Sequence, residues 1–153
     1  MKKKILVVTG GRAEYGILKP LLDEINKSKK LKLNLVVTGT HLSNEFGNTI
    51  DEIKRDGLKI SDKIEIIMSS DTPISLSKSM GLLLISFSET LSRIKPDLVI
   101  LLGDRFETFA FAISAYLRKI PIIHYEGGDI TEGGALDDNI RHAITKISNL
   151  HLT

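Results

Sequence analysis

Short runs of β-branched and aliphatic residues alternate along this chain with longer segments whose apolar residues recur at helical spacing. That alternation restricts the fold more than any other feature. Ile5–Thr9 reads ILVVT and Leu98–Leu102 reads LVILL, continuous apolar stretches suited to strands covered on both faces. Leu33–Thr38, Lys63–Met68 and Ile120–His124 predict three more strands, and Leu150–Thr153 the beginning of another. Between them, Ile17, Leu18, Leu21, Leu22 and Ile25 form the apolar stripe of a helix from Tyr15 to about Lys27. Ser43 to about Arg55 predicts a second helix, with Ser43 as N-cap and Gly57 just past its end. Helices are also expected over Pro73–Ile94, stopped by Pro96, over Asp104–Leu117, and over Asp137–Ile147. Within the third, MGLLLISF is apolar almost all round, so it is either core or an interface. A βα unit repeated five times implies an α/β fold, a Rossmann-like doubly wound parallel sheet with helices on both faces. The 153 residues suit one such domain.

Composition removes several classes of function. A net charge of +2 declares no strongly basic face and argues against nucleic acid as the main partner. The lysines at Lys2–Lys4 and Lys27–Lys32 read as solvated surface. With no cysteine there is no disulfide, thiolate metal site or cysteine nucleophile. His41, His124, His142 and His151 lack the spacing of a metal site, so no metal is expected. Ile5–Val8 is too short for a signal core, and no stretch approaches the roughly 20 apolar residues of a membrane span. A soluble, cytoplasmic protein without a membrane partner is the expectation.

In open α/β sheets ligands bind beyond the carboxyl ends of the strands. Four such ends carry glycine beside charged or hydrogen-bonding groups: TGGRAEYG, TGTHLS, GDRFET and HYEGGD. TGGRAEYG has neither the GxGxxG nor the Walker spacing. Gly10-Gly11-Arg12 at a helix start is either a phosphate cradle or a tight turn with a solvated arginine. Asp104 either caps the following helix or handles protons at the mouth of a crevice. Glu107 and Thr108 read as structural. His124 and Glu126 alternate about Tyr125, so a continuing strand would point both into one crevice. Asp137-Asp138 opens a helix where acidic residues suit the positive end of the macrodipole, and Arg141 and His142 lie within reach of Asp138.

Together TGGRAEYG, GDRFE, HYEGGD and DDNIRHAIT resemble, in order and along the whole chain, the N-terminal half of the hydrolysing UDP-N-acetylglucosamine 2-epimerases of sialic and legionaminic acid biosynthesis. TGTHLS and NEFGNT also look like that family. The resemblance implies a glycosyltransferase-B arrangement, two Rossmann-like domains with the active site between them. This chain then supplies the first domain, without the second nucleotide-binding domain. It implies elimination of UDP from UDP-GlcNAc to a 2-acetamidoglucal, followed by hydration to N-acetylmannosamine, with no cofactor. The isolated fragment is expected to be inactive, and the full-length protein a homo-oligomer. The same chemistry on UDP-N,N′-diacetylbacillosamine is an alternative, as is a non-catalytic nucleotide-sugar-binding module. By position, the resemblance puts the catalytic carboxylates on Asp104, Glu126 and Asp137. Arg12 and Arg105 fall where guanidinium groups approach the diphosphate. Asp138, Arg141 and His142 fall in the element that contacts substrate or orders the acidic loop. Two departures stand out. Gly11 replaces the usual hydroxyl or amide residue, and ITEGGAL is long enough that Asp138 could take the place of Asp137.

Overall fold

The computed structural model describes residues 1–43, 49–65, 72–128 and 136–153. Among the described residues six parallel strands, β1 (Lys3–Thr9), β2 (Leu31–Thr38), β3 (Ile60–Ile64), β4 (Leu98–Leu102), β5 (Ile122–Tyr125) and β6 (Leu150–Leu152), form one sheet. Their order is β3-β2-β1-β4-β5-β6. Register is continuous where β1 meets its neighbours, with Ile5 opposite both Leu33 and Leu98. The helices are α1 (Arg12–Lys27), α2 (Ile50–Arg55), α3 (Pro73–Ile94), α4 (Phe106–Leu117) and α5 (Leu136–Ile147), with a 3₁₀ turn at Gly39–Leu42.

Strand pleating sorts the core into two layers. Leu6 and Val8 join Leu83, Phe87, Leu91, Phe111 and Ile144 under α3, α4 and α5. Ile5 and Val7 join Leu18, Leu22, Ile50 and Ile53 under α1 and α2. On the first face Phe87 and Phe111 pack edge to face at 4.6 Å between centroids. Helices on both faces of a parallel sheet are the doubly wound architecture that the alternation of runs predicted.

Helix α3 runs over the expected residues. Thr72 caps it by accepting from the Ser75 N–H, Pro73 opens it, and Lys95 in the left-handed region closes it before Pro96. Within MGLLLISF, Leu83 and Phe87 are buried in the core, whereas Leu82 and Ile85 face outward.

Other boundaries differ. The described helix between β2 and β3 begins at Ile50, and Ser43 closes the 3₁₀ turn in extended backbone. Residues 44–48, with most of NEFGNT, lie outside the described residues. Strand β3 starts at Ile60, before the expected Lys63, and residues 66–68 lie outside the described residues. Gly57, at φ +74°, turns the chain out of α2, and three residues later it joins the sheet through the polar ISDKI. As an edge strand it lacks the apolar signature of the central ones. Helix α4 begins at Phe106 with Arg105 at the cap, so Asp104 is free of the capping role.

Candidate active site

Strand order reverses between β1 and β4, which puts the switch point at their carboxyl ends. After β1, α1 starts at Arg12 and its first turn folds back on the loop. Glu14 Oε2 accepts the Gly10 N–H at 2.7 Å, in the manner of a capping box. An amide that a phosphate cradle would offer is therefore taken by an internal carboxylate, and burial raises the Glu14 pKa. The turn after β2 sits close against this loop. Gly39, at φ +60°, would bring a Cβ within 2.6 Å of the Gly10 carbonyl, so only glycine fits there. Thr40 Oγ1 donates to that carbonyl at 3.0 Å. It also stands 3.1 Å from where a Cβ on Gly11 would lie, so Thr40 fills part of the space left by the missing side chain.

His41 is fully buried beneath these loops. Its Nε2 lies 3.0 Å from Thr9 Oγ1 and its Nδ1 2.6 Å from Thr49 Oγ1, joining β1 to the start of α2. Burial lowers its pKa to about 4. In the unfolded chain an ordinary histidine takes up its proton below about pH 6.5. Between those values the unfolded state binds more protons, so stability falls as the pH drops from 6.5 towards 4. The loss reaches about 3 kcal/mol at the acid end of that window. Urea midpoints across this range should fall steeply for the native chain and less steeply for His41→Gln. Equal slopes would show that His41 is not the group responsible.

The β4 and β5 ends carry the acidic groups. Asp104, directly after the left-handed Gly103, pairs with Arg141 Nη2 on α5. Arg141 Nη1 donates to Asp138 Oδ1 at 3.0 Å. The three side chains are 23%, 13% and 11% exposed, so this is a largely buried cluster tying the β4 loop to α5. The expected pairing of Asp138 with Arg141 along the helix is present. Asp138 is buried, while Asp137 and His142 are exposed on α5.

Glu126 does not continue β5. It adopts φ +62°, and its N–H donates to the Leu152 carbonyl at 2.7 Å. The expected alternation with His124 therefore ends at Tyr125, and His124 is wholly buried instead of sharing a crevice with Glu126. Arg12 is exposed and approaches Glu52 Oε2 at 3.3 Å. Arg105 lies between Glu107 Oε1 at 3.3 Å and Glu14 Oε1 at 3.9 Å. Thr108 has the structural role expected of it, donating to the Leu102 carbonyl. Asp129 and most of ITEGGAL lie outside the described residues.

Sequence reasoning missed the parts played by Glu14, Thr40 and His41. Glu14 had a legible signal, since a glutamate at the third helical position marks a capping box. His41 had none, because neither its burial nor its partners on β1 and α2 are visible in GTHLS.

Between the ends of β1 and β4 a cavity of about 10 Å³ is lined by Gly10, Glu14, Thr38, Glu107 and Thr108. That holds about one water and is far below the roughly 300–1,000 Å³ of a small-molecule pocket. Asp104, Glu126 and Asp137 do not line this cavity.

Similarity to known proteins identifies the family. The chain is 46% identical over 150 residues to the GDP/UDP-N,N′-diacetylbacillosamine 2-epimerase (hydrolyzing) of Campylobacter jejuni, covering 98% of this chain and 38% of that protein. It is 38% identical to the UDP-N-acetylglucosamine 2-epimerase of Neisseria meningitidis serogroup B, covering 98% of this chain and 38% of that protein. It superposes on the UDP-GlcNAc 2-epimerase of Neisseria meningitidis bound to UDP-GlcNAc with a TM-score of 0.81 and 25% identity, over 97% of this chain and 39% of that one. The chain thus spans under two-fifths of the length of these relatives. No described helix is long and apolar enough to cross a membrane. With residues 23–153 matching the family model of UDP-N-acetylglucosamine 2-epimerase, the chain belongs to that family.

Proposed function

We propose that this chain is the N-terminal domain of a hydrolysing UDP-sugar 2-epimerase, with Asp104, Glu126 and Asp137 as its acid–base groups. The observation that carries the reading is the position of these carboxylates, Asp104 directly after β4, Glu126 directly after β5 and Asp137 at the start of α5. A second Rossmann-like domain facing this edge would close the site and supply the rest of the nucleotide contacts. The isolated chain is then inactive.

In the reaction a base removes the C2 proton as the C1–O bond breaks and UDP departs, leaving a 2-acetamidoglucal. Water then adds its oxygen to C1, giving up one proton to a base, while an acid returns a proton to C2 with inverted configuration, giving the 2-epimer. Each such proton transfer gains about 10²–10⁴-fold from a positioned side chain. Carboxylates suit the work, and Asp137, exposed at the start of α5, is freer to reach a sugar than the buried Asp138. Arg12 and Arg105 carry exposed guanidinium groups beside the switch point, suited to bidentate contact with a diphosphate. Arg141 and Asp138 order the acidic element, and His142 lies at its surface.

Two sugars are candidates. UDP-GlcNAc is the first, and UDP-N,N′-diacetylbacillosamine is favoured by the relative at 46% identity, whose name carries that substrate. Incubating the full-length protein with each should release UDP and the matching free 2-epimer from one of them. Persistence of both substrates intact would overturn the catalytic reading, and UDP binding without turnover would favour a nucleotide-sugar-binding module.

A further inference from the structure

His124 is fully buried, so it cannot touch a substrate, yet its ring meets three of the segments that carry the proposed acid–base groups. Nε2 lies 2.7 Å from the Gly103 carbonyl, the peptide that leads directly into Asp104. A carbonyl only accepts, so Nε2 carries the hydrogen. Nδ1 of the neutral ring is then an acceptor, and Thr145 Oγ1 donates to it at 3.0 Å from α5, one helical turn beyond Arg141. The third contact is steric. A Cβ on Gly127 would stand 2.8 Å from Nδ1 and 3.1 Å from Cγ, so the backbone just after Glu126 lies against the ring.

These contacts act where the backbone is held in uncommon conformations. Gly103 is at φ +76° and Glu126 at φ +62°. A non-glycine residue there is strained and persists only when its surroundings determine it. Gly103 is held from both sides by β5, since its N–H donates to the Tyr125 carbonyl at 3.1 Å while its own carbonyl takes the His124 hydrogen. Burial lowers the His124 pKa, and the charges around it include Arg141, Asp104 and His151. The neutral ring with hydrogen on Nε2 matches all three contacts.

We propose that His124 is a positioning residue that sets the spacing between Asp104, Glu126 and α5 by holding Gly103, Thr145 and Gly127 around one imidazole. The functional part of this statement rests on the reading of those carboxylates as acid–base groups. The structural part does not.

The test uses the full-length protein with His124→Leu, which keeps the bulk and removes both polar contacts, and His124→Gln, which keeps a donor within reach of the Gly103 carbonyl. His124→Leu should lower kcat by about 10²-fold with KM changed less than about 3-fold, since misplacement of catalytic groups by about 1 Å costs this much. His124→Gln should recover about 10-fold of the loss, and Thr145→Val should lower kcat by a smaller factor. Amide exchange at Gly103 and Gly127 is read on the same proteins and should quicken in His124→Leu but not in His124→Gln. Near-normal kcat in folded His124→Leu, a loss confined to KM, or equal defects in the leucine and glutamine variants would overturn the positioning role. If His124→Leu does not fold, His124→Gln and Thr145→Val decide: the role fails if glutamine loses activity as a catalytic deletion would while valine loses none. If wild type turns over neither sugar, the proposed function fails, and unchanged exchange at Gly103 would sink the positioning role separately.

Discussion

Asp104→Asn and Glu126→Gln in the full-length protein are each expected to lower kcat by about 10²–10⁴-fold while the protein stays folded. The amides keep the shape of the carboxylates but cannot accept a proton. The two sites should differ in their side effects. Asp104 is an anchor of Arg141 as well as a candidate acid–base group, so its amide variant weakens the tie between the β4 loop and α5. Glu126 is held through its backbone N–H, which substitution leaves in place, so its variant should retain wild-type stability. Turnover of UDP-GlcNAc or UDP-N,N′-diacetylbacillosamine, followed by UDP release, gives the readout. Near-normal kcat in either variant would remove that carboxylate from the chemistry.

Arg141→Leu is expected to destabilise the protein by about 3–5 kcal/mol, because it removes the cation that Asp104 and Asp138 share in a largely buried cluster. Arg141→Lys should fall between, since one ammonium cannot span two carboxylates as a planar guanidinium does. Denaturant midpoints at neutral pH, converted with a common slope, measure both effects. A loss below about 1 kcal/mol for Arg141→Leu would mean that the cluster is no better than a surface ion pair. The same variant should also lose turnover, because Asp104 would no longer be held towards α5.

The candidate site was partly legible in the chain. Asp104 and Glu126 could be picked out as candidates because ligand groups in such folds follow strands, and both strands were marked by their apolar runs. The Asp138–Arg141 pair was legible too, being local to one helix. The Asp104–Arg141 pair was not, because 37 positions separate the partners and only the adjacency of β4, β5 and α5 brings them together. His124 shows the opposite failure. Simple alternation pointed it into the same crevice as Glu126, but the strand ends one residue earlier and a left-handed turn re-aims the chain.

From the sequence alone came the class of fold, the succession of its elements, the two-sided burial of its central strands and the sheet edge that carries the proposed acid–base groups. Those depend on periodicity and local backbone preference, which neighbours along the chain express. Only the tertiary structure decided which charges are shared, which histidines are sealed in neutral form, and that Asp138 is buried while Asp137 is exposed. Those outcomes depend on desolvation and on distances between segments far apart in sequence, and neither is set until the sheet is assembled.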